Sequence, residues 1–294
     1  MTNHLHWERD GRDWPNRDAS RFVTAGGLRW HVQVLGSGPA ILLVHGTGAA
    51  SHSWRDAAPL LAERFTVIVP DLPGHGFSSA PARSGFSMPG MAQALGALLA
   101  ALEIEPVLAV GHSAGAAILA RASLDGRLNL RGLVSLNGVM LPLHGMPYDF
   151  FSPLAKLLAG NSFVPRFFAW RAQDRAAVER LVRSTGSKLD ARGLDLYARL
   201  VRNPGHVGGA LEMMANWDLR PLQHDLHALQ PRLLLVVGEN DRTVAPAEAR
   251  KVARTVHGAQ VVTLPGLGHL AHEERPGLVA DEVKRFAATV GVPA

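Results

Sequence analysis

The chain of 294 residues is 47% hydrophobic and 19% charged, which excludes a disordered protein. Its 30 Lys and Arg against 25 Asp and Glu give a formal charge of +5, read as an excess spread along the chain with no run of like charges, which excludes a nucleic-acid-binding arm. It has no cysteine, so disulfides, thiolate catalysis and cysteine zinc sites are excluded, and a reducing, cytoplasmic setting is expected.

In chain order, the start MTNHLHWERDGRDWPNRD is polar and lacks the apolar stretch of a secretory signal. SRFVTAGGLRWHVQVLG alternates apolar and polar residues on either side of Gly26-Gly27 and predicts a β-hairpin. AILLV (40–44) predicts a buried strand, SWRDAAPLLAER a helix and TVIVP (66–70) a further strand. DLPGHGFSSAPARSG reads as a turn-rich loop in which Asp71 and His75 are structural. MPGMAQALGALLAAL predicts a helix with Pro89 in its first turn, too short to span a bilayer. VLAV is the next strand, AGAAILARASL the next helix, and LRGLVSLNG (130–138) a strand with its exit loop.

Residues 140–220 break the pattern. Their apolar residues fall at helical spacing, interrupted by prolines that include Pro147 and Pro153. Alternation resumes with RLLLVVGEN (232–240), APAEARKVARTV, QVVTLPG (260–266) and a last helix over about 276–290. Continuous apolar strands are buried on both faces, as in a parallel sheet between helices. The expected architecture is α/β, with an eight-stranded, mostly parallel sheet flanked by helices. Residues 1–139 and 221–294 form its core, and 140–220 a helical cap inserted after the sixth strand.

Gly111-His112-Ser113-Ala114-Gly115 stands where an apolar strand meets a helix. A sharp turn there would hold Ser113 in a strained conformation and expose its hydroxyl, with glycines giving the backbone room. A serine hydroxyl needs a base to become a useful nucleophile. His269, in the loop after the last strand, can reach the same sheet edge and is the expected base; His272 reads as a polar residue near the last helix. Asp241, after the seventh strand, is the expected acid that orients His269. The other place for an acid, the end of the sixth strand, holds Asn137. An oxyanion needs two fixed donors. Ala114 N–H, just after the serine, and Thr47 N–H, in His45-Gly46-Thr47-Gly48, are the candidates. His45 reads as a loop-fixing residue at the rim of the substrate pocket. Phe163, Phe167, Phe168, Trp170 and Trp217 either line that pocket or pack the cap. HLAHEE is not an H-E-x-x-H motif and no strand-to-helix G-x-G-x-x-G is present, so neither metal nor cofactor is expected.

The order Ser113, Asp241, His269, with HGTG and a mid-chain cap, resembles the α/β-hydrolase family over roughly residues 20–290. The serine places the chain beside its ester, thioester or C–C bond hydrolases, since dehalogenases and epoxide hydrolases of this fold carry an aspartate there. A narrower resemblance is to the magnesium-chelatase accessory proteins of bacteriochlorophyll biosynthesis. HWERDGRDWPNRDASRFVTAGGLRWHVQVLG, VGHSAGAAILAR, LVSLNG, MMANWDL and LPGLGHLAHEERP carry it. This implies a role in a phototroph beside magnesium insertion into protoporphyrin, but no reaction. The implied partners are a small carbonyl substrate, extended by the resemblance to a tetrapyrrole, and the magnesium chelatase itself. No nucleic acid and no transmembrane segment are expected. A generic carboxylesterase, and a non-catalytic tetrapyrrole-binding accessory protein, are the alternatives.

Overall fold

The computed structural model describes residues 4–142 and 163–293; the expected cap residues 143–162, with Pro147 and Pro153, lie outside the described residues. Eight strands form: β1 (Ser20–Ala25), β2 (Leu28–Leu35), β3 (Ala40–Val44), β4 (Thr66–Pro70), β5 (Leu108–His112), β6 (Gly132–Leu136), β7 (Arg232–Gly238) and β8 (Gln260–Leu264). Gly26 and Gly27 close the β1–β2 hairpin, both with positive φ. β2 pairs antiparallel with β4, and every later pairing is parallel. The sheet order is β1-β2-β4-β3-β5-β6-β7-β8.

The apolar runs explain the layers. Successive residues of a strand face opposite sides, so a continuous run such as AILLV feeds two cores. Leu42 and Val44 join one, with residues from α3 (Met88–Leu102) and α4 (Ala114–Leu124). Ile41 and Leu43 join the other, with residues from α2 (Ala57–Ala62) and α12 (Pro276–Thr289). A polar strand residue on either face would have no water to meet, which is why these strands do not alternate.

A short α1 (Trp7–Asp10) opens the chain. The polar lead-in carries two tryptophans that pack inward. Trp14 is buried and its indole N–H donates to Ser51 Oγ at 3.1 Å, while Trp7 packs against His31 and edge-on against Phe77. Beneath them lies Asp71, which holds the DLPGHGFS loop as the structural reading expects. Its carboxylate accepts from Ser51 N–H (2.6 Å), Phe77 N–H (2.9 Å) and His31 Nδ1–H (2.8 Å). Burial alone would raise its pKa, but His31 and these donors hold it below the ordinary carboxylate range.

Between β6 and β7 the described chain is helical: α5 (Phe163–Arg171), α6 (Arg175–Ser184), α7 (Ala191–Val201), α8 (Pro204–Ala215) and α9 (Arg220–Asp225). Asp174, Asp190 and Asn203 cap the starts of α6, α7 and α8 by accepting first-turn N–H groups. His206 of α8 ties this cap to the sheet edge. Gly76 N–H donates to its Nδ1 and its Nε2–H donates to Gly48 O, both at 3.0 Å. After β7 come α10 (Pro246–Thr255) and, between β8 and α12, α11 (Ala271–Glu274). No helix among the described residues is long and apolar enough to cross a membrane.

Candidate active site

Ser113, Asp241 and His269 follow the C-terminal ends of β5, β7 and β8. Ser113 links β5 to α4 with φ 52° and ψ −119°, a region that L-residues avoid and that costs about 1–3 kcal/mol. The flanking glycines make the turn physically allowable. A Cβ on Gly111 would stand 2.5 Å from Ala116 Cα, and one on Gly115 2.7 Å from His45 O. Side chains at either place would push the helix off the strands. Gly46 packs directly against Ser113, so the HGTG loop borders the serine. Ala114 is the first residue of α4, where backbone N–H groups have no intrahelical acceptor. Thr47 is half-buried, and its hydroxyl donates to Met213 Sδ of α8 at 3.5 Å.

Asp241 and His269 are joined. His269 Nδ1–H donates to Asp241 Oδ2 at 2.8 Å, and both side chains are buried. A carboxylate only accepts, so the proton sits on Nδ1 and leaves Nε2 as the basic nitrogen. Asp241 also serves its own turn: Oδ1 accepts from Thr243 N–H (2.7 Å) and Val244 N–H (2.9 Å). The turn role and the pairing role are thus divided between its two oxygens.

Three supports hold this pair in place. Asn137, at the end of β6 with φ 45°, bridges two loops. Its amide donates to Gly268 O (2.9 Å) and His269 O (2.6 Å), and its Oδ1 accepts from Gly238 N–H (2.7 Å). His112, beside the serine, donates Nε2–H to the same His269 carbonyl at 2.9 Å. Burial, with His272 and His269 nearby, pushes the His112 pKa well down, so it stays a neutral strut. In the cap, Thr185 O accepts from Arg242 N–H (3.1 Å) and His269 N–H (3.3 Å), while Ser187 Oγ accepts from Leu270 N–H (2.8 Å). One cap turn therefore fixes the acid loop and the histidine loop together. We expect Asn137→Ala to lower stability by about 2–4 kcal/mol, because it strands buried polar groups. Urea unfolding checks this, and a loss under about 0.5 kcal/mol would contradict it.

Several expected residues sit differently. His45 is fully buried, donating Nδ1–H to Gly46 O (2.8 Å) and accepting Leu72 N–H at Nε2 (2.9 Å). It fixes the loop and cannot line a pocket, because both nitrogens are occupied and no surface remains. His272, expected as a polar residue near the last helix, is a buried ring between His112 and Trp54. Phe163, Phe167, Phe168 and Trp170 are 72, 56, 50 and 64% exposed. The reason is that α5 turns Pro165 and Ala169 inward and packs on α8, so these rings line no enclosed pocket among the described residues. Trp217 is half-buried against the α3–α4 core. Two surface hollows of about 410 and 790 Å³ lie elsewhere, by Arg199 and by Glu103, and include none of the motif residues. Among the described residues no cluster of three or more His, Asp and Glu could hold a metal.

Known proteins share this framework. A family model described as the alpha/beta hydrolase fold matches residues 39–276. The magnesium-chelatase 30 kDa subunit of Rhodobacter capsulatus is 36% identical over 263 residues, covering 89% of this chain and 92% of that protein. The 2-hydroxy-6-oxo-2,4-heptadienoate hydrolase of Pseudomonas putida is 24% identical over 268 residues, covering 88% and 93%. Among solved structures, the epoxide hydrolase CorEH has a TM-score of 0.76 at 23% identity over 92% of this chain and 99% of that one, a likeness of fold. With the sheet order, the strained serine turn and a match over most of its length, this chain belongs to the alpha/beta hydrolase fold family and is homologous to the magnesium-chelatase 30 kDa subunit.

Proposed function

We propose that the protein is a serine hydrolase acting on an ester, thioester or related carbonyl compound. The observation that carries this reading is the buried Asp241–His269 hydrogen bond at the sheet edge that presents Ser113 on a strained turn. Ser113 Oγ attacks the carbonyl carbon and its proton passes to His269 Nε2. Asp241 stabilises the resulting imidazolium. The N–H groups of Thr47 and Ala114 hold the oxyanion. Collapse expels the alcohol or thiol, which takes the proton from His269, and leaves an acyl ester on Ser113. Water then repeats the sequence and releases the acid. Residues 140–220 serve as the cap over a core of 1–139 and 221–294 and admit the substrate. The test is turnover of p-nitrophenyl acetate and an acyl thioester, and failure on both would count against the reading.

The 36% identity to a magnesium-chelatase subunit favours a second reading. In it the protein assists magnesium insertion by holding a tetrapyrrole or touching the chelatase, and the serine is dispensable. Complementation of a deletion strain by Ser113→Ala separates the two. Growth and pigment at wild-type levels would favour the accessory role.

A further inference from the structure

The cap carries a surface unlike the rest of the molecule. A surface helix ordinarily turns its larger apolar side chains inward, but α5 does the reverse. Its buried positions are Pro165 and Ala169, followed by Ala172, whereas Phe167, Phe168 and Trp170 point outward. The three rings form one cluster: the Phe167 centroid lies 5.9 Å from Phe168 and 6.0 Å from Trp170. Leu181 of α6 is also exposed. Five of the six large hydrophobic residues exposed among the described residues fall within 163–181; Leu278 is the sixth.

Charge gathers on the same stretch. Residues 163–192 hold seven Arg and Lys against three Asp and Glu, a net +4 of the chain's +5. The positive excess is therefore concentrated here rather than spread along the chain. All seven basic side chains are exposed, and Arg166 and Arg171 stand within the aromatic helix itself. Arg175, Arg180 and Arg183 pair with Asp195, Asp174 and Glu179, but exposed pairs of this kind are weak.

We propose that this face docks on an anionic lipid bilayer, with the α5 rings at headgroup depth and the arginines on lipid phosphates. Aromatic rings favour the membrane–water boundary, and clustered basic residues are drawn to anionic headgroups over a Debye length. A peripheral mode suits a chain in which no described helix can span the membrane. The rest of the chain carries a net charge of only +1, so the excess that would draw the molecule to an anionic surface lies on this stretch. The proposal does not depend on Ser113 being a nucleophile.

The test is cosedimentation of the full chain with vesicles of phosphatidylcholine alone and of phosphatidylcholine mixed with phosphatidylglycerol. Binding is expected only to the mixed vesicles and should fall as ionic strength rises. Phe167→Ser with Trp170→Ser, and separately Arg166→Glu with Arg171→Glu, should each weaken binding about tenfold or more. Leu278→Ser should leave it unchanged, and circular-dichroism melting should confirm that every variant folds. No sedimentation with the mixed vesicles would overturn the proposal and leave this face to an acidic protein partner. Binding that neither pair of substitutions weakens, or that neutral vesicles match, would overturn it equally.

Discussion

Replacing Ser113 by alanine is expected to lower p-nitrophenyl acetate turnover by about 10⁴- to 10⁶-fold while leaving the fold intact. The size follows from the division of labour. The variant has no hydroxyl on which the acyl ester can form, so covalent catalysis is lost outright. The donors proposed at Thr47 and Ala114 would remain and keep a residual advantage over solution of roughly 10³-fold. The elbow should survive because alanine meets the same φ of 52° with the same Cβ. Thermal melting beside stopped-flow release of p-nitrophenol makes the distinction. A loss under tenfold with an unchanged melt would mean that Ser113 is a bystander.

The second large effect is acid unfolding. His45, His75 and His206 are buried, and burial pushes their pKa values down to about 4, 3 and 3. His52, His112 and His272 are pushed well below the ordinary value for the same reason. In the unfolded chain all six take up protons near pH 6.5. The folded state binds fewer, so its stability is complete above that pH and is lost as pH falls from 6.5 towards the folded values. Each histidine contributes up to about 1.4 kcal/mol per pH unit in that window. Glu273 works in the opposite sense. Burial raises its pKa to about 7 against the pull of Arg55 and Tyr197, so the native state is the one that holds its proton between the ordinary carboxylate range and 7. It offsets roughly one of the six. The remainder works in one direction, and the loss between pH 6.5 and 5 is comparable to a typical stability of about 5–15 kcal/mol. Circular dichroism on titration from pH 8 checks this. A thermal midpoint unchanged between pH 7 and 5 would contradict it.

Much of the fold was legible because each strand of the parallel sheet is a short apolar run, and such runs have few other places to go. Leu42 and Ile41 face opposite cores, so both had to be apolar and the run stood out. Ser113 was legible for a related reason: the glycines beside it are demanded by contacts with Ala116 and His45. Asp241 and His269 were expected from chain order, and the fold joins them by a hydrogen bond. The supports were not legible. Asn137, His112 and Thr185 act through backbone carbonyls and amides that only the finished fold brings together. His206 looks like any helix histidine until Gly76 and Gly48 converge on it. The aromatic residues of α5 misled because helical spacing tells which residues share a face, not which face turns inward. There the small Pro165 and Ala169 face inward, and the rings are left outside.

The central claim, that Ser113 is an activated nucleophile served by His269, is tested most directly by treating the folded protein with a fluorophosphonate and locating the adduct by peptide mass spectrometry. One adduct is expected, on Ser113, absent from Ser113→Ala and formed far more slowly in His269→Ala. An unlabelled wild-type protein, or a label that persists in Ser113→Ala, would contradict it.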